Sequence, residues 1–171
     1  NGSETIRVVP ASSSSIYDGS DNAASTTQSN NTASLTEKVL PTIASTTVNS
    51  ANSQLTVTFS EDVFNATGGS GNLEATDFVL SISGGVATIG AATPTSISRT
   101  SDSIWVLGFN TSGTANGSET IQVVPASSSS IYDGSDNAAS ATQSNNPAAL
   151  NDKAAPTLSA VSIASDNSTL T

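Results

Sequence analysis

The sequence has no cysteine, no histidine and no methionine. Without cysteine there is neither a disulfide framework nor a thiolate metal site. Without histidine or cysteine, the usual means of activating a serine or threonine nucleophile is missing. Basic residues are nearly absent, with 4 Lys+Arg against 14 Asp+Glu and a formal net charge of −10. Such a chain cannot neutralise a run of phosphates, which argues against nucleic acid or an anionic membrane as ligand. No apolar run reaches membrane-spanning length, and no signal peptide is visible. A mature secreted protein, or a window cut from one, has these properties. Aromatics are 4% of the 171 residues, with a single Trp, and the apolar fraction is 35%. Any core is therefore small, built from Val, Ile, Leu, Ala and a few Phe.

What the chain does contain is itself, repeated. "NGSETIRVVPASSSSIYDGSDNAAS" at Asn1 returns as "NGSETIQVVPASSSSIYDGSDNAAS" at Asn116, an offset of 115 residues. At the same offset "LTEKVLPT" from Leu35 answers to "LNDKAAPT" from Leu150, and Pro41, Asn52 and Leu55 answer to Pro156, Asn167 and Leu170. A period of this length is a domain rather than a solenoid repeat. Pro-Thr dipeptides mark the unit starts, since Pro begins an edge strand well. Residues 1–36 read as the C-terminal part of one repeat and 37–40 as a linker. Residues 41–150 read as a complete repeat, 151–155 as a second linker, and 156–171 as the first strand or two of the next.

Within the complete repeat the apolar residues alternate with period two, and Thr, Val and Ile are frequent, which predicts strands. "QLTVTFSEDV" places Leu55, Val57, Phe59 and Val63 on one face. "TDFVLSIS" places Phe78, Leu80 and Ile82 inward, and "ETIQVVPA" places Ile121 and Val123 inward. "SIWVLGFN", with Trp105, Leu107 and Phe109, is the heaviest core strand. "PTIASTTVNS" and "VATIGAATPTSI" read as weaker strands, and "NATGGSGN", "SGGV", "RTSDS", "NTSGTANGS" and "YDGSDN" as turns. Roughly six or seven short strands in about a hundred residues predict an antiparallel β-sandwich.

These segments, with "LTVTFSEDV", "TDFVLSISGG" and the linker "LNDKAAPT", resemble bacterial Ig-like repeats, which occur in tandem in giant surface adhesins and S-layer proteins. The resemblance covers the complete repeat and both partial ones. One departure is Asp136, which stands where the family's turn usually carries Gly. The resemblance implies an Ig-like β-sandwich and a non-catalytic structural spacer in a long cell-surface or secreted fibre. Its neighbours would be further repeats of the same chain or identical chains in a filament. Two alternatives stand beside the spacer. One is a filament subunit that polymerises head to tail by strand complementation. The other is a glycan- or receptor-binding module, for which Tyr17 and Tyr132 are the candidate loop aromatics.

The acids are the candidate chemistry. Glu61 with Asp62, or Asp133 with Asp136, could in principle act as an acid–base pair on a glycoside, but no aromatic-lined cleft is expected around them, so no enzyme activity is expected. Calcium suits them better, since it takes six to eight oxygen ligands from carboxylates, carbonyls and Asn. The candidate metal ligands are Glu61, Asp133, Asp136 and Asp152, with the repeat equivalents Asp18, Asp21 and Glu37. In similar surface arrays, acids at unit junctions bind calcium and stiffen the array. The competing reading is solvated linker acids and Asp residues that stabilise their own turns.

Overall fold

Alternation of apolar and polar residues gives each strand a buried and a solvated face, and pairing register follows from it. The computed structural model describes residues 2–170; Asn1 and Thr171, the outer ends of the two partial repeats, lie outside the described residues. In chain order the strands are β1 (Thr5–Arg7), β2 (Thr32–Ser34), β3 (Ile43–Val48), β4 (Gln54–Phe59), β5 (Val63–Phe64), β6 (Phe78–Ser83), β7 (Thr88–Ile89), β8 (Ser96–Ser101), β9 (Ile104–Gly108), β10 (Thr111–Ser112), β11 (Thr120–Pro125), β12 (Tyr132–Asp133) and β13 (Pro147–Ala149). Every strand pairing is antiparallel. The described residues hold one 3-10 turn, Ala75–Asp77, and no α-helix.

Two sheets make the body of the fold. One runs β3-β4-β9-β8 and the other β13-β11-β6. Leu55, Val57 and Phe59 of β4 and Trp105 and Leu107 of β9 share one buried core with Phe78 and Leu80 of β6 and Ile121 and Val123 of β11. These are the positions that alternation places inward, and Val63 of β5 and Phe109, just past the end of β9, join them. The Phe59 and Phe78 rings meet between the sheets at a centroid distance of 6.4 Å. Burying each such side chain stabilises the fold by roughly 1.5–3 kcal/mol relative to exposure. The core's own residues run from Ile43 to Leu150. Pro41 leads into β3, which is an edge strand of its sheet. The outer side of β3 meets β13, where the Thr46 hydroxyl donates to the Pro147 carbonyl at 3.1 Å.

Several stretches depart from the sequence expectation: the short strands β10 and β12 lie in the supposed turns "NTSGTANGS" and "YDGSDN", and β13 lies where no strand was expected. "VATIGAATPTSI" is not one strand but two, β7 and the start of β8, and β8 continues through the supposed turn "RTSDS" as far as Ser101. Its residues are mostly exposed, so hydrophobic alternation could not mark it. The backbone of the heavily buried β9 recruits it instead, with a bulge between Arg99 and Ser101.

The flanking segments repeat the local structure of the central unit. Strand β1 pairs β2 with Thr5 opposite Ser34, which is the register of Thr120 opposite Ala149 shifted by one repeat. Asn167 takes a left-handed φ of 57°, as Asn52 does at 56°, and a bridge joins Ile163 to Leu170.

Candidate functional site

The turn "YDGSDN" builds the first wall of the site. Asp133 ends β12 and is buried, and its Oδ1 accepts from the backbone N–H of Ser135 and of Asn137, both at 2.8 Å. The Asn137 side-chain amide donates to its Oδ2 at 2.8 Å. Burial alone would push this carboxyl upward; the hydrogen bonds from Asn137 and Ser135 outweigh it and hold Asp133 below its ordinary value. Asp136 adopts φ 67°, a left-handed conformation that favours Gly. Asp tolerates that region because its short polar side chain bonds locally. Here the Asp136 carboxylate accepts from the Gly68 N–H at 2.5 Å.

The second wall is Glu61, half-buried just past the end of β4. The third comes from earlier in the chain. Glu37 lies between β2 and β3, and the Asn137 amide donates to its Oε2 at 2.5 Å. One oxygen each from Glu37, Glu61 and Asp133 lies within 4.8 Å of the others. Burial, then the charges of Asp133, Glu37 and Asp62, push the Glu61 carboxyl above its ordinary value. The cluster is therefore under electrostatic stress that the Asn137 amide relieves only in part.

Of the seven candidate ligands, Glu37, Glu61 and Asp133 come together and the other four do not. Asp136 is turned toward Gly68, as its hydrogen bond shows. Asp18 and Asp21 are exposed and hold the earlier copy of the same turn, with Ser20 and Asn22 N–H donating to Asp18 Oδ1 at 2.9 Å. The Asn22 side chain and those backbone groups hold Asp18 below its ordinary value. Asp152, the repeat equivalent of Glu37, is exposed beside Gly117 and accepts from Ala154 N–H at 2.8 Å. Tyr132 is half-buried and pairs with Phe64 across the β5–β12 ladder, whereas Tyr17 is exposed.

Sequence reasoning passed over two residues. Asn137 bridges the acids, and the offset of 115 could have pointed to it, since it lies beside Asp136 in the unchanged turn. Glu119, in "NGSE", is fully buried and anchors the opposite end of the unit. Its Oε1 accepts from Val86 N–H at 2.7 Å and Ala87 N–H at 2.9 Å, and its Oε2 from Asn116 N–H at 3.0 Å. The Ala87 bond leads the shift, and against the cost of burial these donors lower Glu119 from 4.5 to about 2. A side chain at Gly85 would collide with this carboxylate, so Gly is required there.

The described residues form an all-β antiparallel fold whose acidic cluster joins Glu37, from before β3, to Glu61 and Asp133. No protein-family model matches the chain, and none of the curated proteins matches it. Among solved structures the chain is similar to the N-terminal part of the bacterial S-layer protein SbsC, with 20% sequence identity and a TM-score of 0.46. That similarity covers 66% of this chain and 24% of the other, so the chain spans about a quarter of that structure's length. A likeness of this degree carries no functional argument.

Proposed function

We propose that the chain is a non-catalytic structural module: a tandem Ig-like repeat that gives length and stiffness to an extracellular, cell-surface fibre. One observation carries this reading. Glu37, from the linker after one repeat, is held against Glu61, Asp133 and Asn137 of the next. A free linker would leave consecutive units independent. A linker side chain fixed by the following unit makes the joint a defined geometry. The unit's longest strands have six residues and span roughly 20 Å, so with the turns at its ends each unit adds on the order of 30 Å to the array. The net charge of −10 keeps neighbouring fibres apart and soluble.

Calcium belongs to the same reading. Oxygens up to 4.8 Å apart fit around one ion with ligands at about 2.4 Å. Glu37, Glu61 and Asp133 would hold it, and the ion would lock the linker to the unit.

Electron microscopy of the native secreted or surface material, labelled with antibody to this chain, tests the module. Thin fibres labelled repeatedly along their length are expected. Label at a single point on a globular particle overturns it.

A further inference from the structure

The loop before β11 carries an Asn-Gly dipeptide, Asn116–Gly117. Asn is a chemically labile residue. Its side-chain carbonyl can be attacked by the main-chain nitrogen of the residue that follows, and a glycine there offers no Cβ to crowd the attack. The fold requires that glycine. Gly117 has φ 81°, and a Cβ on it would stand 3.2 Å from the Asp152 Cβ. The repeat equivalent, Gly2, has φ 73° and would meet the Glu37 Cβ at 3.0 Å. A side chain is thus excluded at both positions by backbone conformation and by the acid packed against it.

The surroundings of Asn116 are those of a reaction centre. Asn116, Gly117 and Ser118 are exposed, so water and hydroxide reach them. Ser118 N–H donates to Asn116 Oδ1 at 3.1 Å. That bond closes a ring containing both the Asn116 Cγ and the Gly117 nitrogen, and it polarises the carbonyl that would be attacked. The main chain at Asn116 is held from the other side, where its N–H donates to Glu119 Oε2 at 3.0 Å. Among the described residues, neither the Asn116 side-chain NH2 nor the Gly117 N–H makes a hydrogen bond. Asn52, Asn137 and Asn146 are buried, and each spends its side-chain NH2 on a fixed acceptor.

We propose that Asn116–Gly117 is a self-modification site, at which Asn116 deamidates through a succinimide closed by the Gly117 nitrogen. Hydroxide takes the Gly117 amide proton, and the nitrogen forms a bond to the Asn116 Cγ. The charge that develops on Oδ1 is met by the Ser118 N–H, as in an oxyanion hole. The Cγ–Nδ2 bond then breaks, and Nδ2 takes a proton from water and leaves as ammonia. Water reopens the succinimide at either carbonyl. Opening at Cγ leaves an aspartyl residue. Opening at the main-chain carbonyl leaves an isoaspartyl residue, whose main chain runs one methylene longer.

The two products differ in effect. The aspartyl form keeps the acceptor for Ser118 and adds an exposed charge, which solvent screens. The isoaspartyl form shifts the spacing between Asn116 and Glu119. Glu119 is fully buried, so a donor lost from its carboxylate is not replaced by water. Residues 115–119 also seat the chain after β13: Leu150 N–H donates to the Glu119 carbonyl at 2.9 Å and Lys153 N–H to the Ala115 carbonyl at 2.8 Å. The isoaspartyl form therefore loosens residues 150–153.

Incubation of the full chain at mildly alkaline pH, with peptide mapping by mass spectrometry, tests this. Asn116 should convert before any other Asn of residues 2–170, and at least as fast in the native chain as in the chain unfolded by urea at the same pH. The isoaspartyl fraction, isolated by anion exchange, should melt several degrees below the unmodified chain and be cleaved faster by trypsin after Lys153. Asn116→Asp carries the charge without the longer main chain and should melt close to the unmodified protein. A native rate below the urea rate overturns the proposal, because the fold would then protect the site. An isoaspartyl fraction that melts like Asn116→Asp overturns the loosening of residues 150–153.

Discussion

At the scale of single residues, the unit depends on a few side chains because it has few large ones. Trp105 fills the centre of β9 and its indole N–H donates to the Asp102 carbonyl at 3.1 Å. Trp105→Ala should cost about 3–5 kcal/mol in a denaturant titration followed by far-ultraviolet circular dichroism, enough to unfold a marginal domain. Glu119 matters in a different way. Its folded value of about 2 lies below the ordinary 4.5, so the folded state binds its proton less readily than the unfolded chain. Its contribution is present above about 4.5 and is lost as pH falls toward about 2. Glu119→Gln should lower the melting temperature by several degrees at pH 7, and melting curves of the two proteins should converge as pH approaches 2. A difference that persists unchanged down to that pH would mean the carboxylate's charge plays no part. The sequence hid this residue: an acid among Gly, Ser and Asn reads as a solvated turn, and only the fold brings the 84–87 loop onto it.

At the scale of elements, legibility tracked burial. β4, β6, β9 and β11 carry alternating Val, Leu, Ile and Phe, and their faces could be assigned from letters alone. β8 carries Ser, Arg and Thr on an exposed face, and its existence depends on the neighbour it pairs with. Turns were legible only in part, since strand residues enter "RTSDS", "NTSGTANGS" and "YDGSDN", and none was legible as an anchor. Asn52, at φ 56°, looks like a loop tip in the sequence. In the fold its amide donates to the Asn151 carbonyl at 2.7 Å, and its Oδ1 accepts from Asn151 N–H at 2.9 Å. The turn after β3 thus grips the chain's exit from the unit. Asn52→Gly keeps the left-handed backbone and removes these bonds, so it should cost roughly 1–2 kcal/mol in urea denaturation. Asn52→Ala adds the strain of a Cβ at positive φ and should cost about 1 kcal/mol more. Equal effects of the two substitutions would show that backbone conformation is not what Asn supplies there.

At the scale of the whole molecule, the repeat period was legible and the joint was only half so. The acids of the cluster could be named from the sequence, but the seven candidates could not be sorted into Glu37, Glu61 and Asp133, because that grouping depends on how the chain before β3 folds onto the turn after β12. The physics of that meeting gives the joint a testable dependence on pH and on ions. Glu61 is pushed above its ordinary 4.5, so the folded state holds its proton more readily than the unfolded chain. The resulting stabilisation is full below 4.5 and disappears as pH rises through the folded value, leaving the repulsion among the acids at neutral pH. With chelator present, Glu61→Gln should therefore raise the melting temperature of the full chain at pH 7 by a degree or two. A bound divalent ion reverses the sign, because the ion needs the charge that otherwise repels. In millimolar calcium the unmodified chain should melt several degrees higher than in EDTA, and both Glu37→Gln and Glu61→Gln should erase most of that increment. The Glu37 variant ties the ion to the joint rather than to the unit alone, since Glu37 is the one ligand of the three that comes from the linker. Identical melting in calcium and EDTA would leave the Asn137 amide, bridging Glu37 and Asp133, as the element that fixes the linker. Asn137→Ala would then have to loosen the joint by itself, which faster proteolysis after the exposed Lys38 would reveal.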